Sequence, residues 1–259
     1  MLGALLEAEP APQRVIEVGW LVDIEKGGVI YASPRRLGRK PSASEHAKAL
    51  NRCPAINDFD ARHFEIACPF DLNIAFVPAT DKQEPSLRNA SGGESAIRGQ
   101  QLGRLISLSR PVEWRDPARP IVQLQLPYLF LSDDPCWLNQ LPPFMTYRAA
   151  PLPGVMLGGR FPIHIWPRHQ MWAFEWYDTS QNIVIKRGEP LFYLRFECND
   201  ASRHVRLVET EMTPDVRDYV DSVSTVANYV NQTFSLFATA QERRPPRLLM
   251  PKNARRGND

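Results

Sequence analysis

The 259-residue chain has no Cys-x-x-Cys pair, no apolar run near the ~20 residues that span a bilayer, and almost no net charge. Its four cysteines, Cys53, Cys68, Cys136 and Cys198, lie far apart and read as buried, reduced thiols. A formal charge of +2 does not point to nucleic acid or an anionic membrane as the main partner. There is no Gly-x-x-x-x-Gly-Lys phosphate loop, no Gly-x-Gly-x-x-Gly after a strand and no Gly-x-Ser-x-Gly elbow. Without a His-x-His pair or clustered cysteines, no metal and no cofactor is expected. The first ten residues lack a basic region followed by a full apolar stretch, so no secretory signal is expected. The expected location is cytoplasmic, or inside a particle assembled there, such as a phage.

What the chain does have is proline: 24 residues, nearly twice the usual share of about 5%. Proline interrupts helix interiors and central strands, so the elements must be short and joined by stiff turns. Residues 1–12 read as a flexible leader, 13–212 as a β-rich domain, and 80–99, polar around Ser91-Gly-Gly-Glu-Ser95, as a mobile loop. Val15–Asp23 and Gly28–Tyr31 read as a hairpin, and Ser42–Asn51 as a short surface helix. Alternation in Leu72, Ile74, Phe76 and in Val122, Leu124, Leu126 marks half-buried strands. Further strand-like runs recur at roughly 8–12 residue spacing, with proline and glycine turns. The predicted class is mainly β: an antiparallel β-sandwich, jelly-roll-like fold or barrel, with one long C-terminal helix.

That helix is expected over 213–240. Thr213-Pro214-Asp215 supplies a cap hydroxyl, a first-turn proline and an acid. Val216, Val220, Val223, Ala227, Val230, Phe234 and Phe237 then form an apolar seam that must pack on the sheet or on a second copy of the chain. Residues 241–259 carry six arginines and lysines against two acids and read as a basic flexible tail, or as a phosphate-contacting arm.

The densest chemical cluster is the stretch 158–177, with three tryptophans, two histidines, two arginines and a glutamate. If 161–166 and 171–177 pair as a hairpin, His164, Trp166, Glu175 and Arg195 converge; Arg160, Arg168, His169, Trp172 and Trp176 complete the ligand-binding candidates. Aromatic walls with a few placed polar groups suit a small-molecule pocket. The competing reading puts Trp172, Phe174 and Trp176 in the core. A facial triad of His164, His169 and Glu175 would need partners chosen from free side chains.

Two resemblances follow from particular motifs. Cys53-Pro-Ala, Cys68-Pro-Phe-Asp-Leu, Leu126-Pro-Tyr-Leu-Phe, Gly159-Arg-Phe-Pro-Ile and Gly188-Glu-Pro-Leu-Phe-Tyr-Leu-Arg-Phe196 resemble an uncharacterised β-rich group of marine bacteria and their phages. That resemblance implies a phage-related origin and no activity. Residues 183–196 are similar to the strand–glycine–strand ending of dUTPase and dCTP-deaminase barrels. The Pro-Ser-Gly and Asp-Tyr-Arg-Gly elements of those enzymes are missing here. The expected function is a binding or assembly module, self-associating through its C-terminal helix or holding a small ligand. The alternative is a small-molecule enzyme using His164, His169, Glu175 and Arg195.

Overall fold

The computed structural model describes residues 15–23, 29–38, 46, 49, 52–92, 99–146, 148, 150–200, 203–226 and 233–252. Strand outweighs helix, 38% against 19%. In chain order the elements are β1 (Ile16–Val22), β2 (Arg35–Arg36), α1 (Pro54–Ala61), β3 (His63–Ala67), β4 (Leu72–Val77) and β5 (Ser86–Asn89). Next come α2 (Gly99–Leu105), β6 (Ile106–Leu108), β7 (Ile121–Gln125), β8 (Tyr128–Leu131), β9 (Cys136–Leu141), β10 (Gly154–Leu157) and β11 (Gly159–Pro162). The chain continues through β12 (Met171–Trp176), β13 (Ile183–Ile185), β14 (Pro190–Cys198), β15 (Val205–Glu209), α3 (Pro214–Val226) and α4 (Thr233–Arg243). The strands form four sheets, ordered β15-β1-β8, β10-β12-β7-β6, β11-β9-β14-β3-β2 and β13-β4-β5, none closed into a barrel.

One core joins all four sheets. Val122 and Leu124 on β7 face Phe174 and Trp172 on β12, and none of the four is more than 1% exposed. The two rings stack with centroids 5.0 Å apart. The alternation read from the sequence is thus the inner face of a sheet, and the tryptophans of β12 are core. Ile16 and Val18 of β1, Phe64 and Ile66 of β3 and Ile183 and Ile185 of β13 close the same cluster.

Several expectations change. Among the described residues the hairpin over 15–31 is not formed: β1 pairs in parallel with β15 and antiparallel with β8. Tyr31 still docks, edge-on to Tyr128 with centroids 5.7 Å apart. Of the helix expected over 42–51, only His46 and Ala49 fall within the described residues. A helix does start at Pro54, after an extended Cys53 cap; proline there needs no N–H and sets the first turn. The supposed mobile loop contains β5, paired to β4 from Ile74–Asn89 to Val77–Ser86, while 93–98 lie outside the described residues.

The C-terminal region differs most. Thr213 does start a helix, its Oγ1 accepting from the Val216 N–H at 3.3 Å. However, the Tyr219 hydroxyl lies 2.9 Å from the Ala240 carbonyl and 2.6 Å from that of Ile165. In one straight helix residues 219 and 240 would stand about 30 Å apart. The chain therefore reverses, and α3 and α4 pack against each other. Val216, Val220 and Val223 are at most 2% exposed and form a second core with Leu21, Leu129 and Leu131. Ala227 and Val230 lie outside the described residues, as does the Phe234 side chain; Phe237 packs on Trp166 at 5.6 Å.

The expected flexible tail is docked as far as Lys252. Leu248 and Leu249 are 1% and 5% exposed and complete the second core. Gly19 permits this: a Cβ there would stand 2.5 Å from Leu249 Cδ2. The Leu248 N–H donates to Asp133 Oδ1 at 2.6 Å, and Met250 N–H to Thr210 Oγ1 at 2.9 Å. The Arg244 guanidinium donates to the carbonyls of His164 at 2.6 Å and Asp133 at 3.2 Å. Residues 253–259 lie outside the described residues.

Docking predicts a stability cost. Leu248→Ala should lower unfolding free energy by about 2–5 kcal/mol, as a buried leucine truncation does. Ile30→Ala, at a side chain 81% exposed, should stay within about 0.5 kcal/mol of wild type. Urea denaturation followed by tryptophan fluorescence measures both; equal midpoints for the two variants would contradict a docked segment.

Candidate functional site

The residues singled out in the sequence do not share one place, because the hairpin that would unite them is absent. β11 pairs with β9, whereas β12 pairs with β10 and β7 in a different sheet. β11 stops at Pro162, whose carbonyl accepts from both Ile165 and Trp166 N–H groups, so His164 and Trp166 lie in a turn.

Each predicted residue then finds its own partner. His164 places Nδ1 2.9 Å from the Cys136 carbonyl and 3.2 Å from its N–H, with its ring edge-on to Trp137 at 5.1 Å. Glu175, 1% exposed, is bound by both guanidinium ends of the more exposed Arg115. His169 Nε2 lies 3.0 Å from the buried Asp23 Oδ2. Arg168 spreads over the rings of Trp166 and Phe161 at 5.1 and 5.5 Å. Burial pulls its guanidinium below the usual arginine value, yet an arginine stays charged. Trp172 and Trp176 are core. Among the described residues no group of three or more histidine, cysteine or acidic side chains is placed to hold a metal ion.

Two of the cavities among the described residues take up members of the predicted set, each of about 430 Å³. The first gathers Trp166, Arg168 and His169 with Arg104, Gln170 and Ser224. The second takes Arg160 and Arg195 from the predicted set and adds residues the sequence reading missed: Arg36, Arg62, Arg203, His204 and Trp137. It exists because β14 outruns its neighbour. β9 pairs with β14 as far as Cys198, but β3 pairs with it only as far as Arg195. Phe196–Cys198 therefore border β9 on one side and the cavity on the other. The end of α1, the start of β15 and Arg36 of β2 close the remaining walls.

The second cavity is cationic: five arginines, with His204 beside them, against Asp58, Glu197 and Asp200. The acids orient their neighbours. Arg62 Nε donates to Asp58 at 2.9 Å, and Arg160 Nε to Glu197 at 3.3 Å, with the Arg160 guanidinium over Trp137 at 4.7 Å. Arg36 lies over Phe64 at 5.4 Å and donates to the Val205 carbonyl at 3.3 Å. The hydrogen bond from Arg62 holds the Asp58 carboxyl below its usual range; the charges of Arg62, His204 and Arg195 add to this. Arg195 and His204 both line this cavity. The side chains of Arg195 and His204 make no hydrogen bond among the described residues.

No family model, no curated protein and no solved structure matches this chain. Function must therefore be argued from the cavities themselves. No helix among the described residues is long and apolar enough to cross a membrane.

His164 gives a pH test. Burial, reinforced by Arg244, lowers its imidazole below the ordinary 6.5. Between that lowered value and 6.5 the unfolded chain takes up a proton that the folded one refuses, so acidification through this window favours unfolding. Going from about pH 7.5 to about pH 5.5, the urea midpoint of the wild type should fall more than that of His164→Gln. Parallel pH profiles for the two proteins would show that His164 titrates freely.

Proposed function

We infer that the protein is a binding module of β-sandwich type that holds a small phosphate- or carboxylate-bearing ligand in the arginine-lined cavity. One observation carries this reading. Five separate segments deliver arginines and His204 to one concavity, and Arg195 and His204 arrive without hydrogen-bond partners among the described residues. A volume of about 430 Å³ lies within the range of small-ligand sites. Guanidinium groups present a planar fork that matches carboxylate and phosphate oxygens, and hydrogen bonds to charged groups are the stronger kind. Glu197 and Asp58 pre-orient Arg160 and Arg62, so less rotamer entropy remains to be lost on binding.

The competing readings have less to rest on. His164, His169 and Glu175 are engaged at different places and Arg195 lines the second cavity, so an enzyme built on all four lacks a shared cavity. Assembly through the C-terminal seam would need that seam uncovered, and its described part packs on the chain's own β1 and β8.

Calorimetric titration with pyrophosphate and with citrate tests the reading. Saturable binding of at least one is expected. Losing one charged hydrogen bond costs about 1.5–3 kcal/mol, so Arg195→Ala should weaken Kd by about tenfold or more. Arg104→Ala, in the other cavity, should leave it unchanged. Binding that ignores Arg195, or no saturable heat with either anion, would overturn the assignment.

A further inference from the structure

We propose that Cys136 and Cys198 form a redox-active dithiol, which a hydroperoxide closes to a disulfide at the edge of the arginine-lined cavity. The two lie directly opposite each other on β9 and β14, with sulfurs 3.7 Å apart. The pairing is of the kind that brings side chains close. Cys136 directs its main chain the other way: its carbonyl accepts from Ile163 N–H at 3.1 Å, and its own N–H donates to His164 Nδ1 at 3.2 Å. Opposed residues without mutual main-chain bonds sit about 4.5 Å apart at Cα. That falls inside the about 4.4–6.8 Å a disulfide accepts. A bond needs the sulfurs to approach to about 2.05 Å, which side-chain rotation supplies without moving the strands.

The two thiols differ in the way a redox pair requires. Cys136 is fully buried, whereas Cys198 is half-buried and lines the cavity. Between the neutral thiols Cys198 donates to Cys136. Once Cys198 is ionised, Cys136 donates across the same contact and favours the thiolate, and the Arg203 guanidinium adds to this; burial, Asp134 and Asp200 oppose it. The same hydrogen bond, together with burial, keeps Cys136 protonated. Cys198 is therefore the attacking sulfur and Cys136 the resolving one.

The chemistry balances in two steps. The Cys198 thiolate attacks the peroxide oxygen: an S–O bond forms, the O–O bond breaks and an alkoxide leaves, taking a proton to become the alcohol. The sulfur is oxidised to a sulfenic acid and the peroxide is reduced. Cys136 then attacks that sulfur; the S–S bond forms, the S–O bond breaks, and hydroxide leaves with the Cys136 proton as water. Two thiols and one hydroperoxide yield one disulfide, one alcohol and one water. An external dithiol reverses the change by exchange. Cys68 serves as an internal control: it is buried, and burial pushes its thiol up to about 12. Cys53, partly exposed at the start of α1, is a second.

The test is peptide mapping of the full chain, without reduction, after brief treatment with hydrogen peroxide. The expected product joins the peptides bearing Cys136 and Cys198, is lighter by two hydrogens, and reverts with dithiothreitol, while Cys53 and Cys68 stay alkylatable. Cys136→Ser should stop the reaction at a Cys198 sulfenic acid that dimedone captures, and Cys198→Ser should leave Cys136 unreacted. Oxidation of Cys53 with Cys136 and Cys198 still reduced would overturn the proposal. So would over-oxidation of Cys198 in the native chain with no linked peptide. Linkage should form in buffer free of phosphate and citrate, so it stands or falls separately from the anion ligand.

Discussion

Most of what makes this molecule more than a stack of sheets follows from the length of β14. It has nine residues and serves two neighbours of unequal reach: β9 accompanies it to Cys198, β3 only to Arg195. A strand flanked on both sides would leave no room at that end of the sheet. Because β3 begins only at His63, where the chain arrives from α1, the last residues of β14 border a concavity. The side chains around it come from strands and turns rather than from a long loop. Main-chain pairing sets the positions of Arg36, Arg160 and Arg195, which is what an orienting site for a small anion requires.

A second constraint operates through β8, whose four residues are all buried. Tyr128 and Phe130 belong to the sheet core; Leu129 and Leu131 face the helices. Alternation puts the two sets on opposite faces, so one short strand joins two cores. The helical pair and the segment to Lys252 cover the second of them. Arg244 closes the arrangement by binding the carbonyls that follow β8 and that of His164, beside the turn that ends β11. The C-terminal arginines thus do different things. Arg244 is 14% exposed and structural, whereas the cavity draws its cations from elsewhere in the chain.

Local pattern was legible in the sequence, and long-range pairing was not. The period-two faces of β4, β7 and β12 and the helix start at Thr213 follow from side-chain spacing and cap chemistry. The helix that opens at Pro54 had no expectation, since proline can end one helix as readily as it opens the next. The hairpin expected at 161–177 failed because adjacency in sequence does not fix pairing; Pro162 ends β11 and sends the chain to a different sheet. The seam read as one helix is two, because valine spacing records which face is buried but not where a helix turns back. For the cavity, Arg160 and Arg195 were named, but for a hairpin that does not exist. Arg36, Arg62, Arg203 and His204 carry no local signal, since what unites them is a strand overhang between segments far apart in the chain. Cys136 and Cys198 looked separate for the same reason, standing 62 positions apart in sequence with 3.7 Å between their sulfurs.

Hydrogen–deuterium exchange with and without saturating pyrophosphate tests the central claim most directly, because it reports where an anion sits without assuming which residue binds it. The account predicts slowed exchange at residues 58–64 and 195–200, with 166–171 around the first cavity unchanged. Protection confined to 166–171, or none at residues 58–64 and 195–200, would contradict it.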